Sequence, residues 1–198
     1  MSAPPKTVLT ATPEEEAAII AAVREAEGLV VAGPAHVDGL LKLLSDPRVS
    51  DPIYDLPRPF TRDSVARWVA DSEALRQDGR CILAVTLDEA GEVAGYSRYS
   101  IWPERASGEL AGARRADMQN TGGGRVGVAR SIAFMFETLH LRLIGLTAAL
   151  DNVRSARSIE AAGFRSMGEV ESVRPDGTTR RSLYWELTRQ EWERLHRL

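Results

Sequence analysis

Three consecutive glycines, Gly122, Gly123 and Gly124, form the segment of this sequence that points most directly to a chemical role. They follow a polar stretch and precede an apolar run with helical spacing. Adjacent glycines lose conformational entropy on folding and add no packing, so a simple turn accounts for one of them better than for three. Where glycines open a helix, a ligand can approach the backbone, and the N–H groups of the first turn bind an anion such as a pyrophosphate. The segment therefore favours a phosphate-binding loop.

A dinucleotide-binding loop is the main alternative, because Gly122, Gly124 and Gly127 match the pattern G-x-G-x-x-G. That pattern requires a buried strand directly before it, and the preceding residues ARRADMQNT are polar. The loop also comes too late in the chain to leave room for a doubly wound sheet. A Walker P-loop is excluded, since no Lys followed by Ser or Thr comes after the glycines.

The helices and strands predicted around this loop indicate a single mixed α/β domain. Thr12, Pro13 and Glu15 form a capping signal for an N-terminal helix ending at Gly28, which either packs on the domain or forms a dimer contact; we favour packing. We expect residues 1–28 to be a tail and extra helix, and residues 29–198 to be the functional domain. Further helices are predicted over 37–45, 62–77, 125–139 and 153–162, with another at the C-terminus. Strands are predicted over 29–33, 81–87, 92–102, 108–117, 141–150, 167–173 and 180–187, and the proline-rich segment 46–60 is predicted to be a loop.

The composition excludes several function classes. The formal net charge of −3, with Lys and Arg spread along the chain, argues against a nucleic-acid partner. No apolar run is long enough for a membrane span, and the N-terminus lacks the order of a signal peptide, so we expect a cytoplasmic protein without a membrane partner. The single cysteine, Cys81, lies in an apolar run and is expected to be packed. The three histidines have no metal-ligand spacing, so no metal site is expected.

Two ordered motifs extend the glycine loop. Residues 119–124, QNTGGG, satisfy Q/R-x-x-G-x-G/A, and Asn152 and Ser155 followed by Gly163-Phe164 satisfy N-x-x-S…G-F. With the ending RPDGTTRRSLYWELTRQEW, these motifs resemble the GNAT superfamily of acetyltransferases, in the branch related to the ribosomal-protein N-acetyltransferases (RimJ/RimL-like). The resemblance spans about residues 37–192. It implies a mostly antiparallel, twisted sheet of about six to seven strands, splayed between two central strands and flanked by helices.

The resemblance also implies a cofactor, acetyl-coenzyme A. Its pyrophosphate would lie against the loop, and its pantetheine arm between the strands over 108–117 and 141–150. Asn152 would bond to that arm or cap the following helix, and the two roles are compatible. Arg125 would add a cationic contact or be a solvated first-turn residue. The cofactor contacts that the resemblance assigns are Gln119, Asn120, Thr121, Gly122, Gly123, Gly124, Arg125, Asn152 and Ser155.

The catalytic assignments follow from the chemistry of acetyl transfer to an amine, which needs a base for the amine and a proton for the leaving thiolate. Glu109 is the first candidate for the base, because it lies ten residues before Gln119, where the strand of the resembled family often carries an acidic residue; a surface role is its alternative. Asp117 is the second candidate, with ordering of the turn near the loop as its alternative. The tyrosine that many superfamily members place seven residues after the asparagine is Ile159 here. In the branch that this chain resembles, the serine of N-x-x-S is proposed to serve the leaving thiolate, so the resemblance implies Ser155 as the acid, with Tyr184 as a second candidate.

The resemblance thus implies an N-acetyltransferase that transfers the acetyl group directly to a primary amine, either a protein N-terminus or a small molecule. A catalytically degenerate module that binds coenzyme A is the alternative, which Ile159 keeps open. The chain would act as a monomer or homodimer. Arg114 and Arg115 lie where apolar residues are common, so they either face the acceptor groove or mark a partly exposed strand.

Overall fold

A single sheet with helices on both faces forms the framework of the protein. The computed structural model describes residues 4–53, 55–118, 123–173 and 177–196. The helices in these ranges are α1 (Pro13–Glu25), α2 (Val37–Leu44), α3 (Pro47–Ser50), α4 (Arg62–Gln77), α5 (Gly123–Glu137), α6 (Val153–Ala161) and α7 (Arg189–His196). The strands are β1 (Val30–Val31), β2 (Cys81–Leu87), β3 (Val93–Trp102), β4 (Ser107–Arg114), β5 (Leu143–Ala149), β6 (Arg165–Val173) and β7 (Thr179–Thr188).

The seven strands of the described ranges form one sheet in the order β1-β2-β3-β4-β5-β7-β6. Every neighbouring pair in it is antiparallel except β4 and β5, which are parallel. This mixed, mostly antiparallel sheet confirms the predicted fold class. Within the same ranges, no helix is both long enough and apolar enough to cross a membrane.

The two central strands, β4 and β5, separate along their length. They pair over Ser107–Glu109 and Leu143–Gly145. Beyond Glu109, β4 continues alongside β3, and beyond Gly145, β5 continues alongside β7. The strands therefore diverge and open a wedge in the sheet, as the family resemblance implied. Glu109 lies at the apex of this wedge.

Two hydrophobic clusters lie on opposite faces of the sheet. On one face, α1 and α5 pack through Ile19, Met135 and Phe136 against apolar side chains of the sheet that include Ile144 and Trp185. On the other face, α2 and α4 cover the β1–β3 side of the sheet through a cluster that contains Leu40, Val65, Leu83, Val85 and Tyr96. In this cluster α4 packs on β2, α2 packs on β3, and the short α3 reaches β4. The candidate site lies further along the same face, over β4, β5 and β7.

The N-terminal helix begins as predicted and packs on the domain. Thr12 Oγ1 accepts a hydrogen bond from the Glu15 N–H, and the Glu15 side chain accepts one from the Thr12 N–H. Ile19 and Val23 are fully buried in the core. The helix ends at Glu25, with Ala26 in the left-handed conformation, rather than at Gly28.

Several element boundaries differ from the sequence predictions, and β4 ends at Arg114 instead of residue 117. The segment 46–60 contains one helical turn, α3, because Asp46 Oδ1 accepts a hydrogen bond from the Arg48 N–H and caps it. The first strand shortens to Val30–Val31 at the edge of the sheet. The helix predicted over 125–139 begins two residues earlier, so that Gly123 and Gly124 form its first turn.

Candidate functional site

Glu109 is a buried carboxylate at the apex of the wedge, with 6% of its surface exposed. The hydroxyl of Thr147 on β5 donates a hydrogen bond of 3.1 Å to Glu109 Oε1. A carboxylate is costly to bury unless hydrogen bonds compensate it, so a buried acid at a break in the sheet favours a functional role over the surface role.

Four polar side chains share one face of the sheet around this point. Gly145 is the register partner of Glu109 on β4 and of Glu186 on β7, and Thr147 is the partner of Tyr184. Direct partners on neighbouring strands point to the same face, as do residues two apart on one strand. Glu109, Thr147, Tyr184 and Glu186 therefore form one surface, which we call the polar face.

Tyr184 lies over Gly145 and binds Glu186. Its hydroxyl donates a hydrogen bond of 2.9 Å to Glu186 Oε1. A Cβ atom at Gly145 would lie only 2.6 Å from the Tyr184 hydroxyl oxygen, so the absence of a side chain makes room for the phenol. Burial raises the pKa of Tyr184 well above its ordinary value, and the hydrogen bond to Glu186 and the charges of Glu186 and Glu109 raise it further. The phenol is therefore neutral at physiological pH and acts as a donor to Glu186.

The N-terminal residues 5–10, which we call the strap, cover the β7 side of the polar face. The Thr7 N–H donates to Glu186 Oε1 at 2.9 Å, and the Thr7 hydroxyl donates to Glu186 Oε2 at 2.5 Å. The Lys6 N–H donates to the Tyr184 hydroxyl at 3.3 Å, and the Lys6 ammonium lies 5.6 Å from the centre of that ring. The strap is thus part of the candidate site, although it is far in sequence from the β7 residues that it contacts.

The cofactor side of the wedge begins at α5. The predicted cofactor contacts that lie outside the described residues are Gln119, Asn120, Thr121 and Gly122. Gly123 and Gly124 open the helix, and the backbone of Arg125 continues it. Val126 and Val128 are exposed on α5, as are Leu150 and Val153 where β5 leads into α6. Exposed apolar side chains on both segments leading out of the wedge are consistent with a ligand that covers them.

Residues 110–113 of β4 pair with β3 alone among the described strands. An edge of this kind presents backbone donors and acceptors to an extended ligand with amide groups. This edge suits a pantetheine arm, and the backbone N–H groups at the start of α5 suit a pyrophosphate. The residues present therefore fit acetyl-coenzyme A.

Asn152 caps α6, as one of its two predicted roles required. Its Oδ1 accepts a hydrogen bond of 3.1 Å from the Ser155 N–H. Ser155 is half-buried in the first turn of α6, beyond the end of β5 and therefore towards the open end of the wedge. Ile159 is buried in the core. The structure thus brings Glu109 and Tyr184 together on the polar face and places Ser155 on a separate element.

The second candidate base, Asp117, has a structural contact. Arg115 donates to Asp117 Oδ1 at 2.8 Å and to Asp88 Oδ2 at 2.9 Å. The Arg115 guanidinium holds the pKa of Asp117 below its usual range. Asp117 is exposed, and with Asp88 it ties the end of β4 to the β2–β3 turn. This arrangement matches the turn-ordering role of Asp117.

The sequence reasoning missed Thr147, Glu186 and Thr7. Thr147 is the one polar side chain of β5, LIGLTAA, and could have been noticed for that reason. Glu186 alternates with apolar neighbours on β7, a pattern that predicts a solvent-facing side chain and so offers no sign of its burial. Thr7 offered no signal, because it lies in a short N-terminal tail without helical or strand periodicity.

An ion pair also joins the proline-rich loop to the sheet. Arg98 on β3 is 9% exposed and donates to Asp55 Oδ2 at 3.4 Å. Arg98 is the register partner of Ala111 on β4, so this contact holds the loop over the same face as Glu109. In the described part of the chain, no group of three or more His, Cys, Asp or Glu residues is arranged to hold a metal ion.

Comparison with known proteins gives the class of the chain. Residues 29–165 match the family described as Acetyltransferase (GNAT) domain. The chain therefore belongs to the GNAT acetyltransferase family. It is an N-acetyltransferase, and the donor that this family uses is acetyl-coenzyme A. A comparison with curated proteins finds no match.

Solved structures share the fold. The ribosomal-protein-S5-alanine acetyltransferase from Vibrio fischeri is 17% identical, with a TM-score of 0.69 over 83% of this chain and 93% of that one. The enzyme AAC(6')-Ib in complex with ribostamycin and coenzyme A is 21% identical, with a TM-score of 0.70 over 85% and 97% of the two chains. The same aminoglycoside acetyltransferase with coenzyme A and kanamycin is 22% identical, with a TM-score of 0.69 over 85% and 98%. At these identities the similarity concerns the fold.

Proposed function

We propose that this N-acetyltransferase transfers the acetyl group directly to a primary amine, with Glu109 as the base. The observation that carries this proposal is the buried carboxylate of Glu109 at the point where β4 and β5 part. A base must lie within hydrogen-bond reach of the proton that it removes, and the apex of the wedge is where the cofactor side and the polar face meet. Donor and acceptor can therefore meet beside this one carboxylate.

The cofactor supplies an acetyl group activated as a thioester. In the proposed site, the first turn of α5 at Gly123 and Gly124 binds the pyrophosphate through backbone N–H groups. Residues 110–113 of β4 bind the pantetheine amides, and Asn152 contributes to holding the arm in addition to capping α6. The remaining contacts that the resemblance assigns are Gln119, Asn120, Thr121, Gly122, Arg125 and Ser155.

On the polar face, Glu109 removes a proton from the acceptor ammonium and thereby frees the nitrogen lone pair for attack. The hydrogen bond from Thr147 fixes the orientation of the carboxylate. The Tyr184 hydroxyl already donates a hydrogen bond to Glu186, and the raised pKa of Tyr184 makes it a weaker acid. We therefore propose Tyr184 as a positioning residue and Ser155 as the hydrogen-bond donor to the leaving sulfur.

The acceptor is a primary amine that arrives as a cation. Glu109 and Glu186 give the polar face an anionic character, which attracts an ammonium group. The structural similarity to a ribosomal-protein acetyltransferase supports a protein N-terminus, in line with the RimJ/RimL-like resemblance. The similarity to an enzyme crystallised with aminoglycosides supports a small-molecule amine.

The proposed function is tested by incubating the protein with acetyl-coenzyme A and a panel of peptides and small primary amines. We expect release of coenzyme A that depends on the acceptor, and a mass increase of one acetyl group on the amine. Coenzyme A is also expected to raise the thermal unfolding midpoint of the protein, because a ligand stabilises the folded state that it binds. NAD is not expected to bind, so it should leave the midpoint unchanged. Stabilisation by coenzyme A without turnover on any amine would favour the degenerate binding module, and stabilisation by neither would contradict the proposed cofactor site.

The cofactor loop is tested by Gly123→Asp, which places a carboxylate in the first turn of α5. We expect affinity for coenzyme A to fall on the order of tenfold or more, because like charges placed against each other cost binding free energy. The helix itself should not be destabilised, since an acidic residue favours the N-terminal turn. Titration calorimetry with coenzyme A measures the effect. The matched control is Gly127→Asp, one turn further along the helix, and equal losses in both variants would argue against a phosphate site at Gly123.

A further inference from the structure

The strap is held to the domain over most of its length by cationic side chains. Arg142 donates to the carbonyl of Thr10, and Arg105 donates to the carbonyls of Pro5 and Thr7 at 2.7 and 3.1 Å. The Lys6 ammonium donates to the carbonyls of Met167 and Glu169 on β6 at 2.9 and 3.2 Å. The strap therefore has anchors that are independent of its contact with Glu186, and that contact can be altered separately.

The hydrogen-bond donors to the Glu186 carboxylate, Thr7 among them, carry no charge. Glu186 is 1% exposed, and its carboxylate accepts hydrogen bonds from the Thr7 N–H, the Thr7 hydroxyl and the Tyr184 hydroxyl. All three donors are neutral groups. No ion pair found in the described part of the chain includes Glu186. Thr7 thus satisfies the hydrogen bonds of the carboxylate without cancelling its charge.

Glu186 lies beside the proposed acceptor site. Glu109 and Glu186 flank Gly145 on the two neighbouring strands, so their backbones are about 10 Å apart, which is two strand spacings. Both side chains lie on the polar face. A ligand whose amine reaches Glu109 and which carries a second ammonium a few bonds away would approach Glu186, where Thr7 already occupies the carboxylate.

We infer that Thr7 determines acceptor specificity by capping Glu186. With the cap in place, a second ammonium on the acceptor has to displace two hydrogen bonds before it can pair with that carboxylate. The protein therefore selects acceptors with a single cationic amine over diamines and polyamines. This inference rests on the proposed function, because the polar face is the acceptor site only if Glu109 is the base. Neither Thr7 nor Glu186 lies within residues 29–165, the part of the chain that matches the family.

The test compares two ligands of nearly equal length, n-pentylamine with one charge and 1,4-diaminobutane with two. Thr7→Pro removes both the N–H and the hydroxyl that cap Glu186, and Thr7→Ser keeps both. Titration calorimetry in the presence of coenzyme A gives the ratio of the two dissociation constants for each full-length protein. We expect the ratio to shift in favour of the diamine by about tenfold in Thr7→Pro, to stay at the wild-type value in Thr7→Ser, and to return to it in Thr7→Pro with Glu186→Gln.

An unchanged ratio in folded Thr7→Pro, or no diamine binding to that variant, would overturn the inference. Folding is checked by the thermal unfolding midpoint and by coenzyme A affinity. If Thr7→Pro does not fold, Thr7→Val, which removes the hydroxyl alone, is expected to shift the ratio by about threefold, as the loss of one hydrogen bond implies. Thr10→Val, at an exposed strap position, is the matched control. Wild-type turnover on the amine panel reports separately on the proposed function, so a working enzyme with an unchanged ratio would refute the role of Thr7 only.

Discussion

Glu109→Gln is expected to lower kcat by about 10²- to 10⁴-fold, the usual contribution of general acid–base catalysis, while affinity for coenzyme A stays unchanged. Glutamine preserves the shape of the side chain, and its amide oxygen can still accept the hydrogen bond from Thr147. It cannot take a proton from the acceptor amine. Steady-state rates of coenzyme A release, with an amine that the wild-type protein accepts, measure the loss.

Two control variants separate catalysis from a general effect of the substitution. Glu171→Gln makes the same change at an exposed position of β6 and is expected to leave kcat unaltered. Asp117→Asn removes the second candidate base and is expected to have little effect on kcat, because Asp117 is exposed and paired with Arg115. If Glu109→Gln kept wild-type kcat while Asp117→Asn lost it, the base would have to be reassigned to Asp117.

Thr147→Val gives a graded test of the same site. The loss of the hydroxyl leaves Glu109 in place and removes one donor that orients it. Its effect should therefore be smaller than that of Glu109→Gln and should appear in kcat rather than in coenzyme A affinity. The double variant should be no slower than Glu109→Gln alone, because the hydroxyl acts through the carboxylate.

Local patterns in the sequence predicted most of the elements but not their contacts. The periodicity of residues 62–77 and 81–87 gave α4 and β2 with the bounds that the structure has. Thr12 and Glu15 predicted the start of α1, because a capping box depends on residues three positions apart. One-turn elements such as α3 were missed, since four residues carry too little periodicity to separate from a proline-rich loop.

For the candidate site, the sequence nominated Glu109 but not the residues that contact the polar face from distant segments. Glu109 was nominated from its position relative to the loop motif that the family resemblance supplied, and the structure then placed it at the apex of the wedge. Its partner Thr147 lies 38 residues further along the chain, and Thr7 lies 179 residues from Glu186. Contacts of this range depend on the strand register and on the path of the tail. Neither leaves a periodic trace in the sequence.

Gly145 lies between Glu109 and Glu186 in the strand register, directly under the Tyr184 ring. Gly145→Ala should therefore disturb the polar face strongly. The added methyl group would lie 2.6 Å from the Tyr184 hydroxyl oxygen and 3.1 and 3.2 Å from two ring carbons. Tyr184 cannot then keep its place over the strand, and its hydrogen bond to Glu186 is lost. We expect a loss of about 1–3 kcal/mol in the free energy of unfolding, typical of overpacking. Urea unfolding measures the stability, and the same protein should show reduced kcat.

Gly127→Ala provides the matched control, because it is the same chemical change at a helical glycine where, apart from the backbone of the helix itself, no described residue has an atom within 4 Å of the added group. It is expected to raise the free energy of unfolding by about 0.5–1 kcal/mol, since alanine loses less entropy in a helix than glycine. A double-mutant cycle then tests the cause at Gly145. Tyr184→Phe removes the oxygen that the methyl group meets first, so its stability cost should be smaller in the Gly145→Ala background than in the wild type. Equal costs in the two backgrounds would mean that the methyl group is accommodated without moving the phenol, and that Gly145 is not what fixes Tyr184 against Glu186.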